Sequence, residues 1–123
     1  MEMEVSYIIS EDELFTLISM TSNHTDAGRL FCAEVLSEAK VCDLDGLVDK
    51  NIAVKRANNQ VELTPVFNMF IDSLAQADSI QNVGNSWIIQ SPWITLRCEA
   101  YPFIEKHIKI TPMKEGRINE NTG

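Results

Sequence analysis

Side chains that could act as nucleophiles, general bases or metal ligands are few in this sequence. The two histidines are His24, in a polar stretch, and His107, in a segment of alternating polarity. Neither is accompanied by a nucleophile elbow, a glycine-rich phosphate loop or the spacing of a metal site. We therefore expect both histidines to be structural or to face solvent, and we do not expect the protein to be an enzyme.

The cysteines likewise form no recognisable reactive or metal-binding motif. Cys32, Cys42 and Cys98 are odd in number and form no Cys-x-x-Cys or cysteine–histidine pair at a metal-binding spacing. The expected state is therefore three reduced thiols in a protein of the cytoplasm. No metal and no other cofactor is predicted from them.

Three aspartates close together, Asp43, Asp45 and Asp49, resemble a calcium loop only in composition. A calcium loop carries oxygen ligands at alternating positions and a glycine at its sixth place. Here Gly46 comes at the fourth place, and apolar residues fill ligand positions. We expect these carboxylates to cap a short helix and to face solvent.

Lys50, Lys55 and Arg56 are the side chains that could contact the phosphates of DNA. They lie in a predicted short helix and the two-stranded wing that follows it, the order of a winged-helix DNA-binding domain. Residues 1–77, however, carry 13 acidic and five basic side chains, whereas residues 78–123 carry five of each. The whole net charge of −8 thus lies on the part that would face the phosphates, which disfavours nucleic acid and anionic membranes as partners.

Four large aromatic residues stand close together near the C-terminus and are the candidate partner-binding residues. Burial in the core is the default role of such side chains. The other role is an exposed surface or sheet edge that captures a partner, for example by strand addition. The sequence favours the core and leaves the second role open for Trp87, Trp93, Tyr101 and Phe103.

The first 77 residues are predicted to be mostly helical. Ser10 and Glu13 form the pattern of a capping box, and Thr64 followed by Pro65 is a second strong helix start. Around these starts we predict a strand over 3–9, a helix from residue 11 that stops near 21–25, and helices over 27–39 and 44–51. A wing over 52–63 with its turn at Asn58–Asn59 and a long helix from 65 follow.

After residue 77 the sequence is rich in strand-forming residues. We predict strands over Ser86–Gln90, Trp93–Tyr101 and Phe103–Ile110, arranged as an antiparallel meander with one wet face. The predicted fold is α+β: a helical, winged-helix-like N-terminal part packed on a C-terminal antiparallel meander. A single domain over 1–112 and a flexible tail over 113–123 are expected, and whether strand 3–9 joins the sheet or the wing is left open.

The segment LDGLVDKNIAVKRANNQVELTP and the helix after it resemble a known pattern, in which Leu44, Leu47, Ile52, Val61 and Leu63 hold the matching positions. The chain looks like the N-terminal half of type VII secretion-associated chaperones of actinobacteria and of related uncharacterised Firmicutes proteins. The resemblance implies a non-enzymatic chaperone or adaptor, and no functional residue is carried over from it.

The function expected from the sequence is therefore a protein-interaction module without enzymatic activity. The acidic first residues differ from a secretory signal, and no apolar segment has the length of a membrane span, so we expect a cytoplasmic protein without a membrane partner. The expected partner is another protein, with a homodimer as a further arrangement. The alternative function is a winged-helix DNA-binding transcriptional regulator.

Overall fold

The structure, a computed structural model, describes residues 6–58 and 60–113. The predictions for residues 3–5, Asn59 and 114–123 lie outside the described residues. In chain order the elements are β1 (Tyr7–Ser10), α1 (Glu11–Ser19), α2 (Asp26–Val35), α3 (Gly46–Asp49), β2 (Ala53–Lys55), β3 (Val61–Leu63), α4 (Pro65–Ala75), β4 (Ser79–Val83), β5 (Ser86–Gln90), β6 (Thr95–Ala100) and β7 (His107–Met113).

A five-stranded antiparallel sheet with the strand order β1-β7-β6-β5-β4 is the largest element of the fold. Strands β4 to β7 follow one another as a meander, and β1 pairs with β7. The N-terminal strand therefore joins this sheet and not the wing, which answers the question that the sequence left open. Strands β2 and β3 form a separate two-stranded hairpin. The α+β class is confirmed.

The core lies between one face of this sheet and the helices α1, α2 and α4. Residues that alternate along the strands face the helices and are buried, among them Ile9, Leu96 and Ile110. From α4, Phe67 and Phe70 meet Tyr7 of β1 edge to face, with ring centroids 5.4 and 5.5 Å apart. Burying these large side chains is the main apolar stabilisation of the domain.

Both predicted helix starts are confirmed in atomic detail. The Glu13 N–H donates to Ser10 Oγ at 3.0 Å, and the Ser10 N–H donates to Glu13 Oε1 at 3.1 Å, which completes the capping box. At the start of α4 the Phe67 N–H donates to Thr64 Oγ1, and Pro65 is the first helical residue. Side-chain oxygens therefore satisfy helix N–H groups that have no partner inside the helix.

Two predicted helices are shorter in the structure than the sequence indicated. The helix predicted over 27–39 ends at Val35, and the helix predicted over 44–51 is the four-residue α3. Asp45 precedes α3 but its side chain makes no capping hydrogen bond; the Asp45 N–H donates instead to Asp43 Oδ1. The expected side-chain cap is therefore wrong, because the local turn at Asp43 competes with it.

The strand predictions for the C-terminal part missed one strand and misplaced the start of β6 and both ends of β7. Strand β4 was not predicted, because four of its five side chains are exposed and no alternation is visible. Strand β6 begins at Thr95 and not at Trp93. Strand β7 begins at His107 and not at Phe103, since Lys106 has a left-handed φ of 57°, and it continues to Met113, which was assigned to the tail.

Helices α2 and α4 approach each other closely at one glycine. The Thr25 N–H donates to O of Ala75, the last residue of α4, at 3.0 Å, and the Thr25 hydroxyl donates to Ala77 O, two residues after the helix, at 2.6 Å. One turn later Gly28 lies against the same backbone, and a Cβ atom there would be 2.0 Å from Ala75 O. The packing of these two helices therefore requires a residue without a side chain.

We expect Gly28→Ala to lower the free energy of unfolding by about 3 kcal/mol or more, because the methyl group would force two backbones apart. The matched control is Gly84→Ala. Gly84 has open space around its Cα, so only its φ of 62° opposes the substitution, at a cost of about 1–2 kcal/mol. Urea denaturation measures both variants, and equal losses would contradict the close approach.

Candidate functional site

The connection between β6 and β7, residues 101–106, is an exposed turn that we call the aromatic loop. Its two ends are tied to the rest of the fold. The Tyr101 N–H donates to His107 O at 2.9 Å, and the Glu11 N–H at the start of α1 donates to Lys106 O at 2.8 Å. These bonds fix the two ends of the loop, while most of it lies in solvent.

Apolar side chains form the outer surface of the aromatic loop. Phe103 is 81% exposed and Ile104 is 48% exposed. The rings of Tyr101 and Phe103 are in edge-to-face contact, with centroids 5.3 Å apart. Beside these rings is an open cavity of about 580 Å³, which Asn85, Glu99 and Lys109 also line. The arrangement presents an ordered apolar surface, the property expected of a contact site for a partner.

Trp87 lies at the same end of the sheet but on its helix-facing side. It packs against the core and lines a second cavity of about 210 Å³, which also contacts Glu34 and Val35 of α2. This cavity shares Asn85 with the cavity of the aromatic loop. Trp87 is therefore first of all a packing residue, with one side close to the candidate site.

Trp93 is not part of this site. It lies in the turn between β5 and β6, where the hydroxyl of Ser91 accepts the Trp93 N–H at 3.2 Å, and it is 52% exposed. That turn is at the opposite end of β6 from the aromatic loop, roughly 20 Å away for a six-residue strand. Of the four aromatic residues, the structure thus brings Tyr101 and Phe103 together, puts Trp87 beside them and separates Trp93.

Ile104 and the β4–β5 turn residue Asn85 belong to the site but were not among the predicted residues. Ile104 was assigned to the buried face of a strand because the sequence alternates from it to Ile108 and Ile110. Pro102 lies between Tyr101 and Phe103 and is a sequence signal for a loop, because proline has no backbone N–H to donate to a neighbouring strand.

The cationic residues of the alternative hypothesis are largely engaged in the fold. Lys50 Nζ lies 2.6 Å from Glu13 Oε1 and 3.3 Å from His107 Nε2. Arg56 forms an ion pair with Glu62. The ion pairs among the described residues do not include Lys55, which is exposed on β2. Lys50 is therefore a structural contact between α1, α3 and β7.

His24, Cys32 and Cys98 are partly or fully buried in the fold. His24 Nε2 is 2.8 Å from Ile18 O and lines a small apolar cavity together with Cys32. Burial raises the pKa of the thiols of Cys32 and Cys98, so these side chains hold their protons at neutral pH. Within residues 6–58 and 60–113 no group of three potential metal ligands converges.

Comparison with known proteins adds no relative. A scan against protein-family models, a search of curated proteins and a search of solved structures each gave no match to this chain. In the part of the chain that the structure describes, no helix has the length and apolar character needed to cross a membrane. The geometry of the described residues therefore carries the functional argument.

The Glu13 carboxylate has a lowered pKa in the folded protein. Burial acts to raise this pKa, but the hydrogen bonds from Lys50 and from the Ser10 N–H outweigh it. A carboxyl group with a lowered folded pKa stabilises the fold above its unfolded pKa, and that stabilisation is lost as the pH falls through the folded pKa.

We expect Lys50→Ala to lower the free energy of unfolding at pH 7 by about 1–2 kcal/mol, because it leaves a mostly buried carboxylate without its cation. Glu13→Gln should have its full effect at pH 7 and a shrinking effect below the ordinary pKa of 4.5. Glu62→Gln, which breaks an exposed ion pair, is the control and should cost less than about 0.5 kcal/mol. Urea denaturation at several pH values measures the free energy of unfolding of each variant. Equal effects of the two Glu→Gln changes would contradict this role of Glu13.

Proposed function

We propose that this protein is a non-enzymatic protein-interaction module that binds a partner protein through its aromatic loop. The observation that carries the proposal is the 81% exposure of Phe103 on a loop whose two ends are hydrogen-bonded to the fold. Because both ends of the loop are fixed, binding would lose less conformational entropy there than in a loop with free ends. Large aromatic side chains supply much of the affinity at protein interfaces.

The charge distribution supports a protein partner at this end of the molecule. Glu99 and Lys109 are neighbours in the register of β6 and β7, beside the aromatic loop, so their charges offset each other. Glu105 and Lys106, both exposed in the loop itself, are also of opposite sign. An apolar surface whose neighbouring charges cancel suits a protein partner that is bound mainly by burial of apolar area. An adaptor or secretion-associated chaperone of the cytoplasm, the role that the resemblance implies, belongs to this proposal.

The second candidate is a winged-helix-like DNA-binding regulator. The observation in its favour is that Lys55 and Arg56 are exposed on the hairpin that follows α3. It ranks second because α3 has only four residues, about 6 Å of helix, and Lys50 is held by Glu13. Electrostatic binding to DNA is strongest at low salt, so a titration with duplex DNA at low salt that shows no binding would exclude it.

The first proposal is tested by placing a photo-crosslinking phenylalanine analogue at position 103 in the native host. We expect this position to give one dominant crosslinked protein, because the side chain would be buried against the partner. The matched control carries the analogue at Val41, which is 71% exposed and lies in the segment between α2 and α3. The same products at both positions, or none at position 103, would contradict the proposal.

The purified partner then allows a quantitative comparison of alanine variants. We expect Phe103→Ala to weaken binding at least tenfold while leaving the free energy of unfolding unchanged, since the ring lies in solvent. Trp87→Ala should lower the free energy of unfolding by about 2 kcal/mol, because its ring packs against the core. Retained affinity in Phe103→Ala would contradict the proposed site.

A further inference from the structure

Strand β4 forms one edge of the five-stranded sheet. Among the described residues it pairs with β5 alone, over five consecutive residues from Ser79 to Val83 without a break in register. Four of its five residues are exposed, Val83 among them at 51%. An edge of this kind presents unpaired backbone N–H and C=O groups and is a template for pairing with another strand.

The other strand edges of the described chain carry the features that normally prevent such pairing. Strand β1 has only four residues and leads directly into the acidic first turn of α1, from Glu11 to Glu13. Strands β2 and β3 have three residues each and carry Lys55 and Glu62. Strand β4 has neither a charged residue nor a proline, so it lacks two of the usual protections against edge-to-edge association.

The hairpin geometry shows which backbone groups of β4 are free. A two-residue connection, Gly84–Asn85, joins β4 to β5, and its turn makes Val83 and Ser86 a hydrogen-bonded pair. Backbone groups alternate in direction along a strand, so Ser79, Gln81 and Val83 point to β5. Ile80 and Asn82 therefore direct their N–H and C=O groups outward.

This pattern is complementary to itself. A two-fold axis at Gln81 would pair Ile80 of one copy with Asn82 of the other, twice, and all four outward N–H groups would gain an acceptor. The residues brought face to face are uncharged, although each chain carries a net charge of −8. A second copy thus meets the one five-residue edge of the described chain at which like charges do not oppose contact.

We propose that β4 pairs with β4 of a second copy, antiparallel about Gln81, to form a dimer with a continuous ten-stranded sheet. The proposal is independent of the aromatic loop. Four hydrogen bonds form a small interface, so the association is weak and depends on concentration. Because the net charges repel at long range, raising the salt concentration strengthens the dimer.

Sedimentation velocity on the full chain tests this, from about 5 to about 500 µM, the range in which a small interface associates. The expected result is a monomer–dimer equilibrium that shifts toward dimer as the salt is raised. Asn82→Pro removes an outward N–H and should weaken association at least tenfold. Asn82→Ala keeps that N–H while losing the side-chain bond to Ser86 O, and should stay within about twofold of the unchanged protein.

A second pair of variants tests the β4–β4 dimer even if proline at position 82 disturbs folding. Gln81→Lys puts two ammonium groups beside each other at the two-fold axis and should also weaken association at least tenfold. Gln60→Lys makes the same charge change at the exposed turn before β3 and should not weaken it. A monomer at all concentrations, or a dimer that Gln81→Lys leaves unchanged, overturns the proposal.

Discussion

The first turn of α1 is the point where four otherwise separate parts of the chain meet. The Glu13 carboxylate accepts hydrogen bonds from Ser10, at the end of β1, and from Lys50, which ends α3. The neighbouring Glu11 N–H holds Lys106 O at the end of the aromatic loop. A capping box usually stabilises one helix; here the same carboxylate also fixes α3, and the adjacent N–H fixes the loop. The position of the candidate site thus depends on the start of a helix that is far from it in sequence.

The requirement for space at this point explains one glycine. A Cβ atom on Gly46 would lie 2.9 Å from Glu13 Oε2, so α3 begins with the residue that lets the carboxylate approach. Lys50 reaches Glu13 from the other end of α3. The cost of burying the Glu13 carboxylate is therefore offset by the cation of Lys50, which caps the end of α3. A four-residue helix that is too short to be stable alone thereby acquires a fixed place.

The sequence predicted those parts of the fold that local interactions determine. Ser10, Glu13, Thr64 and Pro65 mark helix starts because the side chains that satisfy the first N–H groups lie within three residues of them. Strand β4 and the aromatic loop could not be found in this way. Strand β4 is defined by its pairing with β5 and leaves no local pattern, and the ends of the loop are held by distant partners such as the Glu11 N–H, so that Pro102 is its one local sign.

The candidate site illustrates the same limit. Tyr101, Phe103, Trp87 and Trp93 are alike in composition, and only tertiary structure separates an exposed ring from a packed one. The alternation that predicted a strand over Phe103–Ile110 assigned Ile104 to a buried face, yet the left-handed Lys106 turns the chain before β7 begins. The sequence singled out four aromatic residues but could not say which of them are exposed.

The two proposed surfaces are compatible because one lies at an end of the strands and the other along an edge of the sheet. The aromatic loop joins the end of β6 to the start of β7, whereas the free edge of β4 is two strands away. In an antiparallel β4 pair the two Gly84–Asn85 turns point in opposite directions, and the aromatic loops lie at the same ends of the sheets as these turns. A dimer would therefore present two loops at opposite ends, so that each could bind a partner without obstructing the other. Simultaneous binding of a partner with two sites would then raise the overall affinity without any new contact.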